Sequence, residues 1–157
     1  MSESLIHSQA EMTQALLQLL PQAHSHIRVF DRQLESFPLE SPAAIALLQP
    51  FLARPPTQLT LILQRPEATL TRRPRLMDLL RRYAPGFQLL QTPPHLDHLA
   101  DACLLIDDID GLIRFHQDQP RGKILQGEKA VCRPYIQRFQ DILAEGCTPL
   151  SASPLGL

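Results

Sequence analysis

Residues 101–115 read DACLLIDDIDGLIRF. Ala102–Ile106 and Leu112–Phe115 are apolar runs of strand length, and Asp107, Asp108 and Asp110 crowd the four residues that open the gap between them. Two such runs joined by a short polar link predict an antiparallel hairpin, with Gly111 supplying free backbone torsion at the turn. Acids so placed can also hold a cation or serve as acid and base. The spacing is not that of the twelve-residue calcium loop. The hairpin is therefore the expectation for the fold, and the acids are the first question about function.

Working outward, Ser8 followed by Glu11 is a capping box. Met12, Ala15, Leu16, Leu19, Leu20 and Ala23 then keep helical spacing, with Pro21 disturbing the end. His26–Leu34 reads as a strand. Ser41-Pro42 opens a second helix running to about Leu52. Gln58–Gln64 is nearly continuous in apolar residues, as a strand covered on both faces is. Pro74 opens a third helix that Pro85-Gly86 closes, and Phe87–Gln91 is a short strand. Residues 117–130 are polar and irregular, with a short strand at Lys123–Gln126. A last helix carries Cys132, Tyr135, Ile136, Phe139, Ile142 and Leu143 on one face and ends at Gly146. The order α-β-α-β-α-β-β-β-α predicts an α/β fold: a single-domain mixed, mostly parallel sheet with helices on both faces. The domain is expected over residues 1–147, followed by a flexible, Ser-, Pro- and Gly-rich tail over 148–157.

A chain of 157 residues, 44% hydrophobic and 20% charged, suits one globular domain with its own core. The net charge of −1 gives no global field towards nucleic acid or membrane. No apolar run approaches the roughly 18 residues of a membrane span, and the start MSESLIHSQAEM is not a secretion signal. Cys103, Cys132 and Cys147 are an odd set without metal-site spacing, read as reduced thiols of a cytoplasmic protein. Thirteen arginines against two lysines point to a bacterial, GC-rich source.

Strand, acidic turn, strand, polar loop and closing helix together resemble half of a phospholipase D-type domain. The signature of that superfamily is His-x-Lys-x4-Asp, the histidine as nucleophile and the lysine on the phosphate, with a Gly-Ser run after the next strand. Setting its aspartate on Asp107 puts Ala100 in the histidine position and Ala102 in the lysine position, and the Gly-Ser region falls near Phe115-His116. The signature keeps its carboxylate and loses both chemical groups. Over nearly the whole chain, HIRVFDRQLE (26–35), RRPRLMDLLRRY (72–83), DACLLIDDIDGLIRF and PYIQRFQDILAEG (134–146) are similar to an uncharacterised bacterial domain family of phospholipase D-like fold. That family is sometimes fused behind an acetyltransferase of the GNAT type and lacks the histidine–lysine pair. The resemblance implies a non-catalytic domain that binds a partner protein, an acetyltransferase-type protein among them, or an anionic ligand. It also implies a homodimer, because single-motif phospholipase D-type proteins pack two halves across the strand carboxyl ends. It calls for no cofactor.

Two side-chain clusters stand out from the residues themselves. Arg32 and Arg65 follow the first two strands, where open α/β sheets bind ligands, and Arg72 and Arg73 follow closely; arginine forks suit phosphate or carboxylate. These four are the expected anion site. His95, Asp97 and His98 are the one metal-like group, because His95 and His98 share a face on a helical turn. Against the binding module stand two alternatives. One is a phosphodiesterase or nuclease with displaced chemistry on His95, His98, Asp107 or His116. The other is a nucleic-acid binder built on the arginines, with only Tyr83 nearby for stacking.

Overall fold

The computed structural model describes residues 2–152. In chain order the elements are β1 (Ser2–Ile6), α1 (Gln9–Leu19), β2 (His26–Asp31), α2 (Pro42–Leu52), β3 (Gln58–Leu63), α3 (Glu67–Arg72), α4 (Pro74–Tyr83), β4 (Phe87–Gln91), β5 (Ala102–Ile106), β6 (Asp110–His116), β7 (Gln119–Gln126), α5 (Lys129–Ala144) and β8 (Thr148–Leu150). They form one eight-stranded sheet in the order β1-β7-β6-β5-β2-β3-β4-β8. None of the described helices is long and apolar enough to cross a membrane.

The sheet is mixed, but the expected parallel majority is corrected: only β2–β3 and β3–β4 pair parallel, and the other five pairs are antiparallel. Helical crossovers do make the parallel part, as the alternation of strands and helices implies. After β4, however, residues 92–101 supply only the short 3₁₀ turn Pro94–Leu96. Without a crossover helix the chain turns back, β5 runs against β2, and two tight turns add β6 and β7. β1, α3 and β8 lie outside the sequence expectation, and the short strand expected at Lys123–Gln126 is the end of β7, an eight-residue strand that begins at Gln119. The 148–157 tail is corrected likewise. Thr148–Leu150 pairs with Gln91–Leu89 and Ala152 is buried, while 153–157 lie outside the described residues.

Helices lie on both faces but unequally. Met12, Leu16, Leu48, Phe51, Leu76 and Leu80, from α1, α2 and α4, pack on Ile27, Val29, Leu59, Leu61 and Leu104. On the other face α5 alone brings Cys132, Phe139 and Ile142 onto Phe30, Ile62, Cys103, Leu105 and Ile113. The helix starts follow the sequence signals. Ser8 accepts from the Glu11 N–H at 3.1 Å, and Ser41 accepts from Ala44 N–H ahead of Pro42. The start of α4 has no cap of its own; Glu40 accepts from the N–H groups of Arg75 and Leu76.

The acidic turn closes the β5–β6 hairpin, but not by Gly111. Asp107 and Asp108 themselves take left-handed torsions, φ 58° and 83°. Gly111 instead packs close, because a Cβ there would meet Leu105 Cδ2 at 3.0 Å. Asp107 reaches back to the chain before β2. Its carboxylate accepts from the N–H groups of His24, Ser25 and His26 at 2.6, 2.8 and 2.9 Å, and from the Ser25 hydroxyl. Burial pushes this carboxyl up, yet the donated hydrogen bonds outweigh it and hold it below the usual carboxylate range. Asp108 turns outward to Arg28 at 3.3 Å.

Two outcomes follow from these contacts. In β7, Gly122 passes so near β6 that a Cβ would lie 1.9 Å from the Ile113 carbonyl oxygen. Backbone cannot yield as a side chain does, so Gly122→Ala lowers unfolding stability by about 3 kcal/mol or more, measured by urea denaturation. His26 bonds Thr60 Oγ1 through Nε2 at 3.1 Å, and burial, then the Arg28 charge, push its imidazole down to about 4. The unfolded chain therefore takes up this proton first as pH drops below the ordinary 6.5, and stability declines from there to about pH 4. His26→Gln flattens that slope in denaturation curves taken across the window.

Candidate functional site

β2 and β3 run side by side, and their pairing continues past the strands: Gln64 N–H donates to Asp31 O at 3.2 Å and Arg65 N–H to Arg32 O at 2.9 Å. This sets Arg32 and Arg65 next to each other beyond the carboxyl ends, where the sequence expects an anion site. The loop that carries Arg32 is closed by Asp31. The Asp31 carboxylate accepts from Arg32 N–H, Ser36 N–H and Ser36 Oγ at 2.8, 2.9 and 3.1 Å, and Leu34 takes a left-handed φ of 68° to make the turn. Asp31 is fully buried, and that burial pushes its carboxyl above the usual range.

The 3₁₀ turn Pro94–Leu96 sits over the same end. Gln64 Nε2 donates to the carbonyls of Leu96 and Leu99 at 2.9 and 2.8 Å. Arg65 grips Asp97 with NH2 and Nε at 3.1 and 3.4 Å. That bond, aided by the charges of Arg32 and His98, holds the Asp97 carboxyl below its ordinary value. The histidine–aspartate cluster and two of the arginines thus occupy one place.

The expected metal set is not assembled. His95 bonds Glu145, Asp97 bonds Arg65, and His98 Nδ1 donates to the His95 carbonyl within its own turn. Among the described residues no three His, Cys, Asp or Glu side chains come together as a metal site. His116 accepts from the Asp118 N–H instead of joining them. The arginine cluster divides too. Arg75 pairs with Glu40, and Arg81 and Arg82 with Asp78. Arg72 is exposed at the end of α3, and Arg73 is half-buried at the entry to α4. Arg32, Arg72 and Arg73 enter none of the ion pairs among the described residues. The Nε atoms of Arg32 and Arg73 are shielded and have no hydrogen-bond partner.

Ala100 and Ala102 enter β5 at this end of the sheet, whereas Asp107 lies at its far end, about 17 Å away along a strand of this length. Strand pairing sets Ala102 opposite Arg114, and Phe30 opposite Cys103, so Asp31, Ala102 and Arg114 form one row across three strands. Arg114 is buried, and each of its three guanidinium nitrogens donates. Nε donates to the His116 and Gln119 carbonyls, NH1 to Gln9 Oε1 and NH2 to the Gln117 carbonyl. It staples the β6–β7 turn to α1. Asp101 is taken by both arms of Arg138 from α5. The sequence reading passed over Arg114, Gln64 and Arg138. Arg114 was the most legible, since period two puts it on the buried side with Leu112. Cys103 offers no nucleophile, because burial raises its thiol to about 12.

Residues 8–148 match the family described as Domain of unknown function (DUF7931). The chain belongs to that family. No curated protein matches it. Solved structures share its fold at low identity. An archaeal chromatin protein, TrmBL2, whose structure shows a novel mode of DNA binding, aligns with a TM-score of 0.68 and 13% identity over 96% of this chain. The match covers 54% of TrmBL2, so the family member described here spans about half that protein's length. Nuc from Salmonella typhimurium, a phospholipase D family member, aligns at 0.63 and 12% identity, covering 96% of this chain and 99% of its own. NucT from Helicobacter pylori aligns at 0.63 and 11%, covering 95% and 99%. The phospholipase D-like fold expected from the sequence is thus established for this family member.

Proposed function

We propose that this is a non-catalytic phospholipase D-like domain that binds an anionic ligand or an acidic partner at the carboxyl ends of β2 and β3. One observation carries the reading. Ala100 and Ala102, the positions that the signature gives to nucleophile and phosphate cation, enter β5 as methyl groups, and the charged neighbours of Ala102 in its row are spent on internal bonds. Beside them Arg32 and Arg65 present two guanidinium groups, Arg32 without a carboxylate partner among the described residues. Arg72 and Arg73 follow Arg65 in sequence and belong to the proposed site. A nucleic-acid reading draws on the fold shared with the archaeal chromatin protein. It is weakened by the ion pairs that occupy Arg75, Arg81 and Arg82.

The purified protein is expected to give no hydrolysis of a generic aryl phosphodiester. Turnover that is abolished by His95→Ala or His116→Ala overturns the reading in favour of displaced chemistry.

The same reading includes a homodimer across the strand carboxyl ends. Among the described residues Leu5 and Phe115 are the exposed large apolar side chains, 63% and 47% accessible. They sit near the carboxyl ends of β1 and β6, with only β7 between those strands. A two-fold contact would use both patches twice and bury at least about 1,000 Å² in total. Light scattering at micromolar concentration then gives twice the 17.7 kDa chain mass, and Phe115→Glu returns it to one. A 17.7 kDa species at every concentration ends the dimer.

A further inference from the structure

Between the ends of β3 and β4 and the start of β8 lies a cavity of about 520 Å³, lined in part by Gln64, Arg65, Glu67, Thr92 and Asp97. Its polar groups are unbalanced. Gln64 is only 4% exposed. Because its Nε2 is tied to two carbonyls, the orientation of its amide is settled, and Oε1 is the atom left without a partner. A buried acceptor in that state is unfavourable until a donor arrives. Glu67 and Asp97 add two carboxylates, and Glu67 enters no ion pair among the described residues. Arg65 is the one cation in the lining. The lining thus offers acceptors and negative charge together with one cation, so it asks for N–H donors and a positive charge as well as an anion.

We propose that it takes a small zwitterion of the amino-acid or short-peptide type. The ammonium group meets Gln64 Oε1 and the Glu67–Asp97 rim, and the carboxylate lies on Arg65. This rests on the reading of Arg65 as part of an anion site and narrows it. A plain oxyanion answers Arg65 alone and sets its charge against two carboxylates. A plain amine leaves Arg65 to Asp97. The Arg65–Asp97 bridge is exposed on both sides, so loosening it for a ligand carboxylate is easy. The volume falls within the usual range for small-molecule sites.

The test titrates the full chain with glycylglycine, N-acetylglycine, glycinamide and inorganic phosphate, by calorimetry and by the side-chain amide resonances of Gln64. Glycylglycine is expected to bind at least about tenfold more tightly than either half-charged analogue. It should shift the Gln64 amide, and Glu67→Gln should weaken it several-fold while N-acetylglycine, relieved of one opposing carboxylate, binds no more weakly than before. Equal binding of glycylglycine and N-acetylglycine, or binding of phosphate alone, overturns the zwitterion and leaves the anion site standing. Binding of none of the four overturns both.

Discussion

The sheet is two half-sheets joined along one seam, and the carboxylate of Asp107 holds the seam. On one side lie the parallel strands β2, β3 and β4; on the other lies the antiparallel run β5, β6, β7 and β1. β5 meets β2 head to tail, and Asp107, one residue beyond β5, takes three successive N–H groups from residues 24–26 as the chain enters β2. Its own N–H returns to the His26 carbonyl at 2.9 Å. These charge-assisted bonds act at the pair that joins the two half-sheets, which no tight turn connects. A slip of one residue there would turn Cys103 and Leu105 out of the α5 core and carry Leu104 and Ile106 into it.

Everything at the opposite end of the sheet depends on that register. It sets Ala102, and through the β5–β6 hairpin Arg114, in one row with Asp31, and brings β5 in beside the loop of Asp31 and Arg32. The end is crowded with charge, yet most of it is spent on holding the chain. Arg114 ties a turn and a helix, Asp31 closes a loop, and Arg138 holds Asp101. What remains for a ligand is Arg32, Arg65 and the cavity behind the 3₁₀ turn. In the proposed reading these groups recognise a ligand, since catalysis needs a group free to exchange a proton or a bond with substrate.

The sequence made the helices and central strands legible because their signals are local. Ser8 and Ser41 cap, Pro42 and Pro74 open, and Gln58–Leu63 is apolar on both faces. It was silent on the edge strands β1 and β8 and offered only Lys123–Gln126 of β7; Glu3, Arg121 and Pro149 face solvent there and blur the alternation. The direction of β5 was hidden as well. Nothing local separates a strand that continues a parallel series from one that turns against it. For the site, the two arginines after β2 and β3 were visible from their place at strand ends. Gln64 was not, and of Arg114 only its buried face was, because a buried polar side chain is recognised by its partners, and those came from residues 96–99, 116–119 and Gln9.

The uneven cover of the sheet has a dynamic consequence. One face is sealed by three helices that come from separate parts of the chain, while the other rests on α5 alone, joined to the sheet through two chain ends at Gly127 and Gly146. Lifting α5 breaks no strand pairing but uncovers Phe30, Ile62, Leu105 and Ile113 together. The least costly partial opening is therefore release of α5, with the sheet and the other four helices kept. Backbone amides of α5 exchange with solvent through that state, whereas those of β2, β3 and β5 wait for the whole domain to unfold. In a crowded cell the opened form is the one that exposes sticky surface, so the hold of Arg138 on Asp101 is also a latch against self-association.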